Sequence, residues 1–154
     1  MRFPTLIFTL FALPLWAADL TPRAGWVLHV TDKPYAQLVS DTRAAVKAGG
    51  MIVVTQAGPT QAAKNRGITI PGNRVIGVFN NEYAVKVINL SVAAMIEAPI
   101  RLYVTQNTDG SATLSYKTPS AVFAPYADEG GDALRAIAAE LDTVFDAIAT
   151  QAAN

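Results

Sequence analysis

Two short runs, Ile100–Gln106 and Ser111–Lys117, alternate in character and are separated only by Asn107-Thr108-Asp109-Gly110. Alternation with a period of two is the signature of a strand, and the Asp-Gly end supplies the positive φ that a tight hairpin turn needs. Leu102, Val104, Ala112, Leu114 and Tyr116 fall on one face, and Tyr103, Thr105, Thr113 and Ser115 on the other. A hairpin of this kind buries one face more deeply than the other. An apolar sheet face must be covered by another layer, so the hairpin points to helices packed on a sheet.

The rest of the chain supplies those elements. Gly25–Val30 reads as a first strand, and Thr31 and Asp32 are placed to cap a helix from Pro34 to Ala48. Tyr35, Leu38, Thr42, Ala45 and Val46 share one face of it, and Gly49-Gly50 ends it. Met51–Thr55 is a second, nearly continuous apolar strand, followed by a short polar helix over Thr60–Asn65 that Gly67 stops. Val75–Phe79 is a third strand. Glu82–Ile96 reads as a helix that turns Val85, Ile88, Val92, Met95 and Ile96 to the core and stops at Pro99. Beyond the hairpin, Ala127–Gly131 reads as a polar linker. Asp132 then opens an amphipathic helix ending near Ala149, with Leu134, Ile137, Ala138, Leu141, Val144, Phe145 and Ile148 in one stripe. That stripe suits either the sheet or a second copy of the chain. The order βαβ(α)βαββα defines an α+β fold, a two-layer sandwich with a mainly antiparallel sheet backed by helices.

The first eighteen residues belong to a different category. Arg2, the apolar run Leu6–Leu13, Pro14 and then Leu15-Trp16-Ala17-Ala18 follow the order of a cleavable export signal, with cleavage after Ala17 or Ala18. The run is too short for a membrane span, which needs about 20 apolar residues. The expected organisation is therefore a signal peptide over 1–18, a lead over 19–24, an α+β domain over 25–126, and a linker with the amphipathic helix over 127–154. A periplasmic or secreted location follows as an expectation. A formal net charge of zero leaves no electrostatic footprint for nucleic acid. The chain has no cysteine, so an exported domain of this length must be held by its core.

The residues restrict chemistry more than they suggest it. His29 is the only histidine and lies inside an apolar strand, so the usual His/Cys sites for zinc, copper or haem cannot be built, and neither metal nor cofactor is expected. Met51 and Met95 fall in core elements. Asp128, Glu129 and Asp132 lack the spacing of a calcium loop and suit the positive end of the following helix. No Gly-x-Ser-x-Gly elbow and no Gly-x-Gly-x-x-Gly occurs, and Asn73-Arg74 stand where a phosphate loop begun at Gly67 would need Lys-Ser/Thr. Asn89-Leu90-Ser91 matches a glycosylation acceptor but lies within a helical segment. Lys64, Arg66, Arg74 and Arg101 lie near loop or strand ends, where arginine can hold a carboxylate or phosphate through two hydrogen bonds. Surface ion pairs with Glu82, Glu97 or Asp109 are the plainer alternative. Asn80 ends a strand, where it either caps the next helix or lines a pocket.

From about Trp26 to Tyr126 the chain resembles the domain of unknown function 302 family. The resemblance is carried by Gly67 before Ile70-Pro71, Val75-Ile76 entering a strand that ends at Asn80, Ala98-Pro99-Ile100-Arg101, Asp109-Gly110, Ser115-Tyr116, Pro119 and Tyr126. It implies a curved sheet backed by helices and a homodimer, and it brings no catalytic activity or cofactor. Many relatives carry Asp-His where this chain has Gly58-Pro59, and Phe-Gly-Asn-Pro where it has Val78-Phe79-Asn80-Asn81. The first difference removes the one motif-level histidine suited to metal binding or proton transfer.

Two readings follow. In the preferred one the chain is a non-enzymatic, homodimeric binding or interaction module, taking a small ligand or an envelope protein partner in an apolar cleft or on a sheet face. In the alternative it is an enzyme acting on a small anionic substrate through Arg101, Tyr116, Asn80 and His29, with Arg74 as a further ligand-binding candidate. The second reading requires these side chains to converge on one cavity. No contact with nucleic acid and no membrane span beyond the leader is expected in either.

Overall fold

The computed structural model describes residues 19–154. The leader read over 1–18 and its cleavage site lie outside the described residues. The elements are β1 (Trp26–Pro34), α1 (Tyr35–Ala48), β2 (Ile52–Ala57), α2 (Thr60–Asn65), β3 (Asn73–Phe79), α3 (Asn81–Leu90), a 3-10 segment (Ala93–Glu97), β4 (Ile100–Gln106), β5 (Ser111–Lys117), α4 (Pro119–Phe123), a 3-10 turn (Ala124–Tyr126) and α5 (Ala127–Ala153). The five strands form one open sheet in the order β1-β5-β4-β3-β2, and every neighbouring pair is antiparallel. This is the expected α+β sandwich.

The β4–β5 hairpin sits at the centre; burial alternates along β4 as expected, while on β5 the small Thr113 and Ser115 of the other face are buried as well. Leu102 pairs with Tyr116 and Val104 with Leu114, and all four are buried. Asn107 N–H donates to the Ser111 carbonyl, and Asp109 Oδ1 accepts from Ser111 N–H, closing the turn. Above this face lie α1, through Leu38, Thr42, Ala45 and Val46, and α5, through Leu134, Ala138, Leu141, Phe145 and Ile148. Both stripes were legible as periodicity. The α5 stripe covers its own sheet and helix α1. Lys33 Nζ ties the arrangement at one end, donating to Asp41 Oδ2 at 2.8 Å and to the Ala152 carbonyl at 2.8 Å, where a cation also suits the negative end of α5.

Three expectations are corrected and one element is added. The first strand runs on to Pro34, so Thr31 is a strand residue whose hydroxyl donates to the Ala112 carbonyl, and α1 begins without a side-chain cap. The residues read as a linker are the first turn of α5, broken only at Gly131 with φ 58 and ψ −150. The segment after the hairpin carries α4, capped by Thr118 Oγ1 accepting from Ala121 N–H. The helix read over Glu82–Ile96 stops at Leu90 and presents the opposite face. Val85, Ile88, Val92 and Ile96 are 58%, 45%, 75% and 79% exposed, while Tyr83, Val87 and Leu90 pack on the core, as Met95 does from the expected set. Ser91 leaves the helix in an extended conformation, its Oγ accepting from Ala94 N–H and donating to Glu129 Oε2.

Strand β2 is one of the two edges, with a register shift between Val53 and Thr55 and about half of Ile52 and Val54 exposed. Leu114→Ala at the sheet centre is expected to cost about 2–5 kcal/mol in chemical denaturation. Val54→Ala at the edge is expected to stay within about 1 kcal/mol. Similar costs at the two positions would contradict this division between centre and edge.

Candidate functional site

With α1 and α5 on one face, the second face of the sheet carries no helical layer. Because directly paired residues point to the same side, the register orders that face into rows. In one row Trp26 stands opposite Lys117, and Arg101 opposite Gly77. Leu102 pairs with Tyr116, which makes Arg101 and Lys117 the next pair along the hairpin. The adjacent row runs Leu28, Ser115, Tyr103, Val75, Ala57 across all five strands.

Trp26, Lys117 and Arg101 of the first row and Tyr103, Val75 and Ala57 of the second line a cleft of about 440 Å³. Trp26, Lys117 and Arg101 lie at one end, Tyr103, Val75 and Ala57 line the floor, and Gly58-Pro59 form a rim where β2 leaves the sheet. The Lys117 ammonium lies 6.0 Å from the centre of the Trp26 ring, and the Arg23 guanidinium 5.8 Å from it. Arg101 is 61% exposed and lies 4.0 Å from Glu97, too open and too long a pair to fix the side chain firmly. Glu97 also accepts a hydrogen bond from the Tyr126 hydroxyl at 2.8 Å, which raises the Tyr126 pKa. Burial is the leading cause that raises the pKa of Tyr103.

The five sequence candidates do not meet. Arg101 lines the cleft. Tyr116 borders it at the strand ends, but its ring is buried on the helix-covered face, 5.7 Å from the Phe145 ring. Burial there, with Asp146 and Asp142 nearby, pushes its pKa up to about 12. His29 and Arg74 belong to one row of the helix-covered face, His29–Leu114–Val104–Arg74, three strand spacings or about 14 Å apart. His29 Nε2 and Arg74 Nε are both buried without a hydrogen-bond partner among the described residues. Asn80 is a helix cap: its Oδ1 accepts from Glu82 N–H at 2.8 Å and Tyr83 N–H at 3.3 Å, and its Nδ2 donates to the Gly50 carbonyl. The convergence that the enzymatic reading requires is therefore missing from this arrangement.

Sequence reading missed Trp26, Lys117, Tyr103 and Val75 as cleft residues. The alternation of the hairpin had already set Tyr103 on the less covered face. The pairing of Trp26 with Lys117 joins residues at opposite ends of the domain and has no local signal. Among the described residues no cluster of metal-ligating side chains occurs, and no helix is long and apolar enough to cross a membrane.

An open, five-stranded antiparallel sheet backed on one face by helices is the class that the fold and this cleft define. The chain belongs to the DUF302 family, a domain of unknown function, whose model matches residues 27–151. It is similar in fold to the crystal structure of an uncharacterized conserved DUF302 protein from Bacillus stearothermophilus. That likeness has a TM-score of 0.74 at 18% identity and covers 84% of this chain and 98% of the other. No curated protein matches the chain.

The Gly58-Pro59 rim has a steric reason. A Cβ at residue 58 would strike the Asn73 carbonyl oxygen, so the close approach of the β2 exit to β3 needs glycine. Gly58→Ala is expected to destabilise by about 1–3 kcal/mol in denaturant titration, and an unchanged midpoint would contradict the contact. Tyr116 gives a pH test. Its folded pKa lies above the ordinary 10.0, so its contribution is intact below pH 10.0 and is lost as pH rises to about 12. Tyr116→Phe is expected to flatten that alkaline loss of stability, measured by denaturant midpoints at a series of pH values. An unaltered alkaline profile would contradict burial as the cause.

Proposed function

We propose that this protein is an exported, non-enzymatic binding module that works as a homodimer and holds a small ligand in the cleft on the uncovered sheet face. The observation that carries the reading is the cleft itself: an apolar floor with a few polar groups gathered at one end, the usual character of a small-molecule site. The separate placement of His29, Arg74, Tyr116 and Asn80 favours binding over catalysis. Export is supported by the order Arg2, Leu6–Leu13, Ala17-Ala18 in the leader. Dimerisation is supported by the family resemblance and by Val85, Ile88, Val92 and Ile96. These exposed apolar side chains, two on α3 and two on the segment that follows it, would gain a covering surface from a second copy.

Native mass spectrometry of the protein taken from the periplasm of its own cells tests the reading. A mass of twice the chain with a retained small molecule is expected, and Ile88→Asp is expected to give the monomer. A monomeric wild type without a retained small molecule would contradict the proposal. Capture of an envelope protein instead would move the function from ligand binding to protein interaction.

A further inference from the structure

We propose that the ligand of this cleft is an amphipathic carboxylate, with its apolar body on Tyr103 and Val75 and its carboxylate between Arg101 and Lys117. This deepens the small-ligand reading and rests on it. Continuing the register past the Leu102–Tyr116 pair sets Arg101 opposite Lys117 on neighbouring strands, where like charges destabilise a sheet. Glu97 is the one carboxylate, among the described residues, within 4.0 Å of either cation, and it serves Arg101 while accepting from Tyr126. Lys117 has no carboxylate within that distance and lies against the face of Trp26. Of the two cations that line the cleft, Lys117 is therefore left without a counter-charge, and the Arg23 guanidinium stands against the same Trp26 ring just outside the lining.

The floor beside this charge is apolar. Moving two residues along each strand, about 7 Å, leads from the cationic row to the row that contains Tyr103, Val75 and Ala57. A ligand that satisfies both rows needs a charged head and an apolar chain or ring within that span. The guanidinium of Arg101 presents the fork that matches a carboxylate, and the Lys117 ammonium adds a second donor. Within the lining Arg101 and Lys117 stand beside the single carboxylate of Glu97, a balance that suits a monoanion better than a polyphosphate, which would need more cations in the cleft or a helix N-terminus.

Amide-resolved NMR titration of the full chain with octanoate, octanol and octylammonium separates the possibilities. Octanoate is expected to shift the amides around Tyr103, Val75 and Lys117 and to bind at least about tenfold more tightly than octanol, the worth of one charge-assisted hydrogen bond. Octylammonium is expected to bind more weakly than octanol. Arg101→Gln with Lys117→Gln is expected to reduce octanoate to the affinity of octanol without other changes in the amide spectrum. If the double variant misfolds, Lys117→Gln alone, at an exposed position, is expected to weaken octanoate about fivefold or more. Equal affinity for octanoate and octanol at the same amides would overturn the carboxylate assignment and leave the cleft as a ligand site. No shift in these rows with any probe would overturn both.

Discussion

Apolar packing on the helix-covered face of the central hairpin governs the rest of this structure. Ile76, Leu102, Val104 and Leu114 are fully removed from water beneath Leu38 and Val46 of α1 and Phe145 and Ile148 of α5. At about 25 cal/mol per Å² of apolar surface, this packing is the dominant favourable term available to a chain without disulfides. It also commits both long helices to the same side. The opposite face is left with Trp26, Tyr103 and Val75 in view of solvent and with two cations at its end. The core and the candidate site are two consequences of one asymmetry.

The smaller elements close the edges of the helical layer through hydrogen bonds rather than bulk. Tyr83 donates to Glu140, Ser91 to Glu129, and Tyr126 to Glu97, so α3, the following 3-10 segment and α5 are linked by hydroxyl–carboxylate contacts. The Tyr83 bond pushes that phenol's pKa up to about 12, since the Glu140 carboxylate favours the protonated hydroxyl. These links hold α3 with one apolar side inward and leave the other exposed.

Where the sequence was legible, a single period dominated. The hairpin alternation, the α1 face and the α5 stripe each have only one apolar side, and each is buried as periodicity requires. Helix α3 has two: Tyr83, Val87 and Leu90 follow helical spacing on one side, and Val85 and Ile88 on the other. Spacing alone cannot choose between them, and the choice is made by Asn80 capping and by the Tyr83–Glu140 contact across the fold. The residues after Lys117 misled in another way, because Gly130-Gly131 reads as a break although only Gly131 leaves the helical region. For the site, Arg101 could be singled out by its place at a strand end. Its neighbours depend on β1 joining β5 at the far side of the sheet, a pairing no local pattern announces.

The most direct test of the account is a crystal structure of the protein purified from the cells that make it, with the uncovered sheet face seen in place. A small molecule lying across Tyr103 and Val75 with its polar end at Arg101 and Lys117 is the predicted result. A second copy packed into those rows, or a ligand held on the helix-covered side near His29 or Arg74, would contradict it.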